Sequence, residues 1–579
     1  MRTSPKLRGP LALWAALSLG CTLSCARCGT PSAKSAEELL PPGDEGAVVT
    51  APLGQVVVSA AALSASASKL PALEGLAQTG LQLVQQVGLP SLTREGLLAV
   101  GLDPARGAAL SFPPVPVGMI DSGKARVWWV LALPLTQPEV FAQKLEPLLL
   151  RLGYGQRTEV AVDGLKTVVF SRADVPEKIG FAVVRGYGVL ARSFEPERQL
   201  ASAQAQDRAF SLSGDTKLAW ARKELGPQDV LLLMPAQSSR VARLLSRQLP
   251  GGAALGLSAL HPSPAGAGLR VAVLQELSGG PLTALSTFLP GPLKPPLPPV
   301  PHDALVARLQ LAPGQLEEAL ARVPALAPAL GKLAPLLETK GVKLDQDLFA
   351  ALSPGVALSL GLSARANLGR SVDPDLLDVR THSPFDLVQL VATARTGQAG
   401  KVRKALAAVA AALPELNATI TRVPEDRFAG CLTDAWQVSY PGGEGVEFGA
   451  LLPSLDVCAP AGQGAKAAPE VAGSETALVY ATGGGGPGGA ALLLAKTRAA
   501  PFDALAADAA AALSFDLGEL ARAVHALPDA AYGSGPQVFV ARSLVSQVLD
   551  PLQSVHGRLL VKPLATGVLV ELTVSAGKE

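Results

Sequence analysis

The chain has 579 residues, 48% of them hydrophobic and 17% charged. It is too long for one hydrophobic core, since single cores stop growing near roughly 250 to 300 residues, and too apolar to be disordered. Lys plus Arg (50) nearly balances Asp plus Glu (48), leaving a net charge of +2, and aromatic residues make up 4%; the basic field and stacking platforms of a nucleic-acid-binding protein are both missing.

In chain order, the first element is an export signal. Arg2, Lys6 and Arg8 precede the apolar run LALWAALSL, Leu11 to Leu19, the order of a basic and then an apolar region in a secretory leader. The run is too short to cross a hydrocarbon core about 30 Å thick as a helix, and no later stretch reaches roughly 18 uncharged apolar residues. Small residues and a cysteine follow, Ser18-Leu19-Gly20-Cys21 and then Thr22-Leu23-Ser24-Cys25. This pattern resembles the lipobox of bacterial lipoproteins, in which a cysteine is diacylated and becomes the new amino terminus. The family prefers Leu three positions before the cysteine, where this chain has Ser18 or Thr22; Gly20 favours Cys21, with Cys25 as the alternative. The resemblance implies a signal peptide over 1–20 and an exported protein anchored by lipid to the bacterial envelope, on its periplasmic face or at the outer membrane. Residues 21–45 are small, polar and proline-bearing, as in GTPSAKSAEELLPPGDEG, and are expected to form a flexible tether.

A first domain is expected over 46–289. Leu70 to Gln86 has helical spacing. ARVWWVLALPLT reads as a strand, and Thr136 with Glu139 as the capping box of a helix placing Val140, Phe141, Leu145, Leu148, Leu149 and Leu152 on one face. IGFAVVRGYGVLARSF reads as two strands around a short turn, VLLLMPAQSSRVARLLSRQL as a strand running into a helix, and ALGLSAL with GLRVAVLQEL as a closing hairpin. Residues 290–301, PGPLKPPLPPVP, form a stiff proline-rich linker.

The second domain, expected over 302–579, follows the same plan. Gln315 to Lys340 is helical. FDLVQLVATART precedes a helix carrying Val402, Leu406, Val409 and Leu413, ETALVYATGGGGPGGAALLLAKT takes the place of the strand pair, and PQVFVARSLVSQVLDPLQ reads as a strand entering a helix. GRLLVKPLATGVLVELTVS closes as a hairpin with the alternation of an antiparallel strand. The expected fold class is α+β, with two similar domains, each a mostly antiparallel sheet packed by amphipathic helices. This arrangement resembles duplicated bacterial envelope lipoproteins built from a long strand-helix-strand module, which implies location and architecture and carries no catalytic motif.

Candidate sites are few. In the glycine run Ala481 to Thr497, Gly484 and Gly489 have P-loop spacing, but Ala490 and Ala491 stand where lysine and a hydroxyl are required, and Lys496 comes too late. Gly483, Gly485 and Gly488 match a dinucleotide pattern without the helix it needs. The run reads as a hairpin tip, and no cofactor is expected. Cys25 and Cys28 lack a second ligand pair for a metal. Cys431 and Cys458 flank what reads as two strands, and export to an oxidising compartment favours a disulfide between them over two free thiols, worth roughly 3 to 4 kcal/mol by loop entropy. His261, His302, His382, His525 and His556 are scattered, mostly in turn and linker contexts, and Asp345 with Asp347 and Glu317 with Glu318 fit solvated faces. The resulting expectation is a non-catalytic, membrane-anchored binding or scaffold protein whose partners are the membrane and a further lipid or envelope protein, not nucleic acid. The alternatives are a carrier of lipid or another apolar ligand in a cleft between the domains, and an enzyme whose class the motifs do not reveal.

Overall fold

The computed structural model describes residues 33–70, 74–75, 78, 82, 88–115, 127–234, 252–276, 291–292, 303–309, 327–351, 356–362, 388–396, 398–416, 419–428, 431–440, 443–452, 475–481, 508–532 and 535–576. The fold is mixed α+β and divides into two compact units, Met1–Thr283 with Thr573–Ala576, and Ala284–Leu572 with Gly577–Glu579. Among the described residues no helix is long and apolar enough to cross a membrane.

The described residues of the first unit form ten strands: β1 (Ala47–Pro52), β2 (Gly107–Ser111), β3 (Trp129–Pro134), β4 (Gln156–Val162), β5 (Leu165–Arg172), β6 (Val175–Val184), β7 (Tyr187–Ser193), β8 (Val230–Met234), β9 (Ala253–Ser263) and β10 (Gly266–Glu276). Each neighbouring pair is antiparallel, and the order across the sheet is β10-β9-β8-β1-β2-β3-β7-β6-β5-β4. The central strand β3 is buried at all six positions, as an apolar run without polar alternation requires. At the edge, β4 is exposed along nearly its whole length and carries Arg157 paired with Glu159 at 2.7 Å, charges that discourage pairing with another chain. The hairpins β4–β5 and β6–β7 turn on Asp163-Gly164 (φ 49° and 79°) and Arg185-Gly186 (φ 49° and 84°), the two successive positive φ angles of a turn whose twist matches that of the strands.

Among the described residues the unit also has helices α1 (Leu53–Ala67), α2 (Arg94–Ala99), α3 (Pro138–Arg151), α4 (Pro196–Ala205) and α5 (Thr216–Leu225). Helix α3 buries Phe141, Leu145, Leu148 and Leu149, in one core with Phe170, Ile179, Phe181 and Leu190 of the sheet. Gly188 admits the Phe141 ring, since a Cβ there would lie 2.8 Å from Phe141 Cε1. Gly180 does the same for α4, with Leu200 and Pro196 each 2.9 Å from the position of its missing Cβ. The capping box expected of Thr136 and Glu139 does not form. Pro138 occupies the first turn and Gln137 the cap position without a side-chain bond, while the Thr136 hydroxyl donates to the Leu102 carbonyl at 3.3 Å.

From residue 33 onward, the stretch expected to be flexible tether is packed against this unit. A short 3-10 turn over Ala36–Leu39 places Leu39 and Leu40 fully out of solvent. Main-chain bonds hold the segment at both ends: Ala33 N–H donates to the Arg185 carbonyl at 3.2 Å, and Phe112 N–H to the Gly46 carbonyl at 2.9 Å. Glu37 receives both Arg222 guanidinium nitrogens, at 2.5 and 3.3 Å. Two buried leucines outweigh the polar composition that made the stretch look unstructured.

The described residues of the second unit form β11 (Leu305–Leu309), β12 (Val356–Leu362), β13 (Val388–Thr396), β14 (Thr419–Phe428), β15 (Cys431–Tyr440), β16 (Gly443–Leu452), β17 (Glu475–Ala481), β18 (Ala511–Asp516), β19 (Val555–Pro563) and β20 (Gly567–Ala576), the last of which ends in the Thr573–Ala576 stretch grouped with the first unit. Their order is β20-β19-β18-β11-β12-β13-β17-β16-β15-β14. Helices α6 (Ala327–Thr339), α7 (Ala399–Ala412), α8 (Leu517–His525) and α9 (Gln537–Leu549) accompany them. One core joins Leu337 of α6, Leu344 and Leu348 to Val402 and Leu406 of α7, and another gathers Val524, Leu527 and Tyr532.

Two expectations need correction. PQVFVARS is the start of helix α9, not a strand; the strand preceding that region is β18. And ETALVYA, as β17, pairs with β13 and with β16, as β7 pairs with β3 and β6 in the first unit. Its pairing is thus like that of Tyr187–Ser193, which is followed by a helix, and unlike that of the Ile179 strand, which is followed by a hairpin turn. The glycine run itself, residues 483–489, lies outside the described residues.

Candidate interaction surfaces

Each unit fastens a tyrosine under an arginine. In the first, Arg106 bonds Asp103 at 2.7 Å, donates to the carbonyls of Leu135 and Gly186 at 3.0 and 3.1 Å, and lies 4.6 Å above the Tyr187 ring, tying the β6–β7 turn to the loop before β2. Burial pushes the Tyr187 phenol up, with Arg106 opposing in part. A phenol whose folded-state pKa is raised contributes stability below its unfolded value, about 10, and loses it as pH climbs through the folded value. Thermal stability of the first unit is therefore expected to fall as pH rises beyond about 10, and Tyr187→Phe is expected to flatten that fall; an unchanged pH profile in the variant rules it out. Asp229, also buried, accepts from Gln55 at 2.7 Å and from the Ala259 amide at 2.8 Å, so its oxygens are committed to structure.

In the second unit, Arg542 of α9 lies 4.5 Å over the Tyr532 ring, pairs with Asp529 at 2.7 Å and donates to the Leu527 carbonyl at 3.0 Å. The Tyr532 hydroxyl donates to the Val524 carbonyl, and burial raises its pKa. These contacts fix the rotation of α9. Val538, Ala541, Val545 and Leu549 face the core. The outer side is apolar too: Phe539, Val540, Leu544 and Val548 are 80%, 61%, 52% and 63% exposed. Val540, Leu544 and Val548 recur every four residues and so form one line along the helix. A helix whose apolar residues extend well beyond its core-facing side has more greasy surface than its own core covers.

No protein-family model, curated protein or solved structure matches this chain.

Among the described residues, the positions singled out from the sequence lie in separate places. Cys21, Cys25 and Cys28 lie outside the described residues. Cys431 opens β15 and Cys458 lies outside, as do His302, His382, Glu317 and Glu318. His261 sits at a positive φ of 48° at the β9–β10 end, His525 bonds Asp550 at 2.9 Å, and His556 is in β19. Asp347 caps its own turn, accepting from the Lys343 amide at 2.8 Å. Among the described residues no group of three or more His, Cys, Asp or Glu is placed to hold a metal ion.

Sequence reading missed two surface features. The α9 stripe was detectable as two interleaved four-residue periods, one inward and one outward, had VFV not suggested a strand. The other is Phe210, an aromatic inside the polar stretch QDRAFSLSGD, which is 73% exposed.

Proposed function

We propose that this chain is an exported, lipid-anchored protein of the bacterial envelope, made of one α+β module doubled within a single polypeptide, which works by binding and not by catalysis. The leader and the lipobox-like residues around Cys21 and Cys25 support the anchor. The strand order supports the doubling: β11 to β20 take, in sequence, the places of β1 to β10, including the out-of-order insertion of the seventh strand beside the third. The observation that carries the binding reading is the outer stripe of α9. Four such side chains bury on the order of 400 Å² when covered, about half of the ~800 Å² per partner in a standard interface. That area suits reversible docking against an apolar segment of another envelope protein better than a permanent assembly.

A photo-crosslinking residue at position 544, activated in intact cells, tests this. The expected product is a discrete protein adduct that Val540→Asp removes, while Val540→Asp itself shifts unfolding by no more than about 0.5 kcal/mol because the side chain is exposed. A lipid adduct at the same position would favour the carrier instead, and an adduct pattern indifferent to Val540→Asp would overturn the docking role of the stripe.

A further inference from the structure

The amino-terminal segment leaves the first unit at one particular place. Ala33 bonds the Arg185 carbonyl at the β6–β7 turn, and Arg185 in turn donates to the Gln204 carbonyl at 2.6 Å, at the end of α4. The loop after α4 is built onto the same place: Gln206 donates to the Phe210 carbonyl at 2.6 Å, Arg208 pairs with Glu38 at 3.6 Å, and Leu212 N–H donates to the Leu40 carbonyl at 2.9 Å. The exposed Phe210 ring and the exposed Arg208 therefore project from the end of the unit at which the chain departs toward its amino terminus.

Length decides what lies beyond. Twelve positions separate Cys21 from Ala33 and eight separate Cys25 from it, and an extended chain covers at most about 3.6 Å per residue, so an acylated cysteine lies within about 43 Å, or about 29 Å, of Ala33. Because residues 33–46 are packed down, the leash is no longer than that. The end of the unit bearing Phe210 is thus confined near the bilayer at high effective concentration, where even a weak contact is populated. An apolar ring flanked by an arginine has the chemistry of the headgroup boundary: the ring inserts at the edge of the acyl region, and the cation meets lipid phosphates.

We infer that Phe210, with Arg208 beside it, seats in the headgroup region of a phospholipid bilayer, so that the first unit stands on the membrane by its β6–β7 end instead of swinging free. The inference rests on the proposed acylation at Cys21 or Cys25. The test uses full-length protein purified from a host that acylates it, its lipidation read by mass spectrometry, and reconstituted into vesicles of phosphatidylcholine and phosphatidylglycerol with or without bromine on the acyl chains. Phe210→Trp is compared with Leu150→Trp. Leu150 is half exposed near the end of α3, where the Leu152 carbonyl accepts from Arg172 at 3.0 Å, at the opposite end of β5 and β6 and so about 30 Å away along the strands. Emission added at 210 is expected to fall by about half in brominated vesicles, as for a ring at the lipid boundary, with that at 150 unchanged. Acylated protein with position 210 unquenched, or with both positions quenched alike, overturns the inference while leaving the anchor in place. Unacylated protein removes the anchor, and the inference with it.

Discussion

Phe141→Ala is expected to lower the unfolding free energy of the first unit by about 3–5 kcal/mol, the range for removing a fully buried aromatic side chain. Phe141 has no exposed surface and stands 6.2 Å from the Phe181 ring at an interplanar angle of 56°, a tilted contact worth something beyond the area it buries. Collapse around the vacancy is restricted because the facing position, Gly188, has no side chain to move in. Buried Trp129 lies in the same core and reports the loss by fluorescence during urea unfolding. A cost below about 1.5 kcal/mol is the range of a volume-conserving swap and would show that the core around Phe141 repacks freely. Adding bulk back at the glycine in Phe141→Ala/Gly188→Ala is expected to recover part of the cost. Gly188→Ala alone, with the ring in place, is expected to destabilise through overpacking.

Leu39→Ala is the second large effect. Leu39 is completely buried in a segment with little regular structure, and its truncation is expected to cost about 2–5 kcal/mol. The distinctive readout is local. Loss of the side chain is expected to raise the opening of residues 33–46 before the sheet melts, seen as early protease cleavage and fast amide exchange confined to that segment. Arg222→Ala acts on the same segment by leaving Glu37 buried without the nitrogens it now receives, and so also loosens it. If Leu39→Ala changes global stability without any local opening, the segment folds as part of the core and is not a separately detachable strap. On the reading proposed above, the Leu39→Ala strap also lengthens the leash, and quenching at position 210 should weaken accordingly.

Much of the architecture was legible because the relevant patterns are local. The unbroken apolar run of β3 announces a central strand, the spacing of Phe141, Leu145 and Leu148 a helix face, and Arg185-Gly186 a two-residue turn. What failed involved competition between signals. Thr136 and Glu139 have capping-box spacing, but Pro138 inside the first turn and the Leu102 carbonyl nearby redirect the hydroxyl. VFV at the start of α9 is apolar with two β-branched residues, a run too short for its periodicity to distinguish strand from helix; in the fold, Arg542 one turn further on is held by Tyr532 and Asp529, outside that window. Helix α1 combines valines with serine and alanine and has no clear apolar face, so nothing in LGQVVVSAAALSASA marks it as a helix. The place of ETALVYA in the sheet depends on pairing with strands far away in sequence, which no local window contains. The surfaces proposed to act were the least legible, because an exposed Phe210 or Leu544 looks in the sequence like any other apolar residue, and exposure is decided by what the fold fails to cover.

The sheet order also dictates a timetable. β1 lies between β2 and β8, with Thr50 opposite Val230, so one of its edges waits about 180 residues for its mate, a long loop closure of the kind that slows folding. β11 is placed likewise, with Leu309 opposite Ala511. In a chain made from its amino end, each unit therefore begins with an interior strand and completes that strand's pairing near its finish, while β4 to β7 zip together from adjacent hairpins. Val48 and Val49 stay uncovered on one edge throughout that interval, so nascent chains are the species most exposed to aggregation.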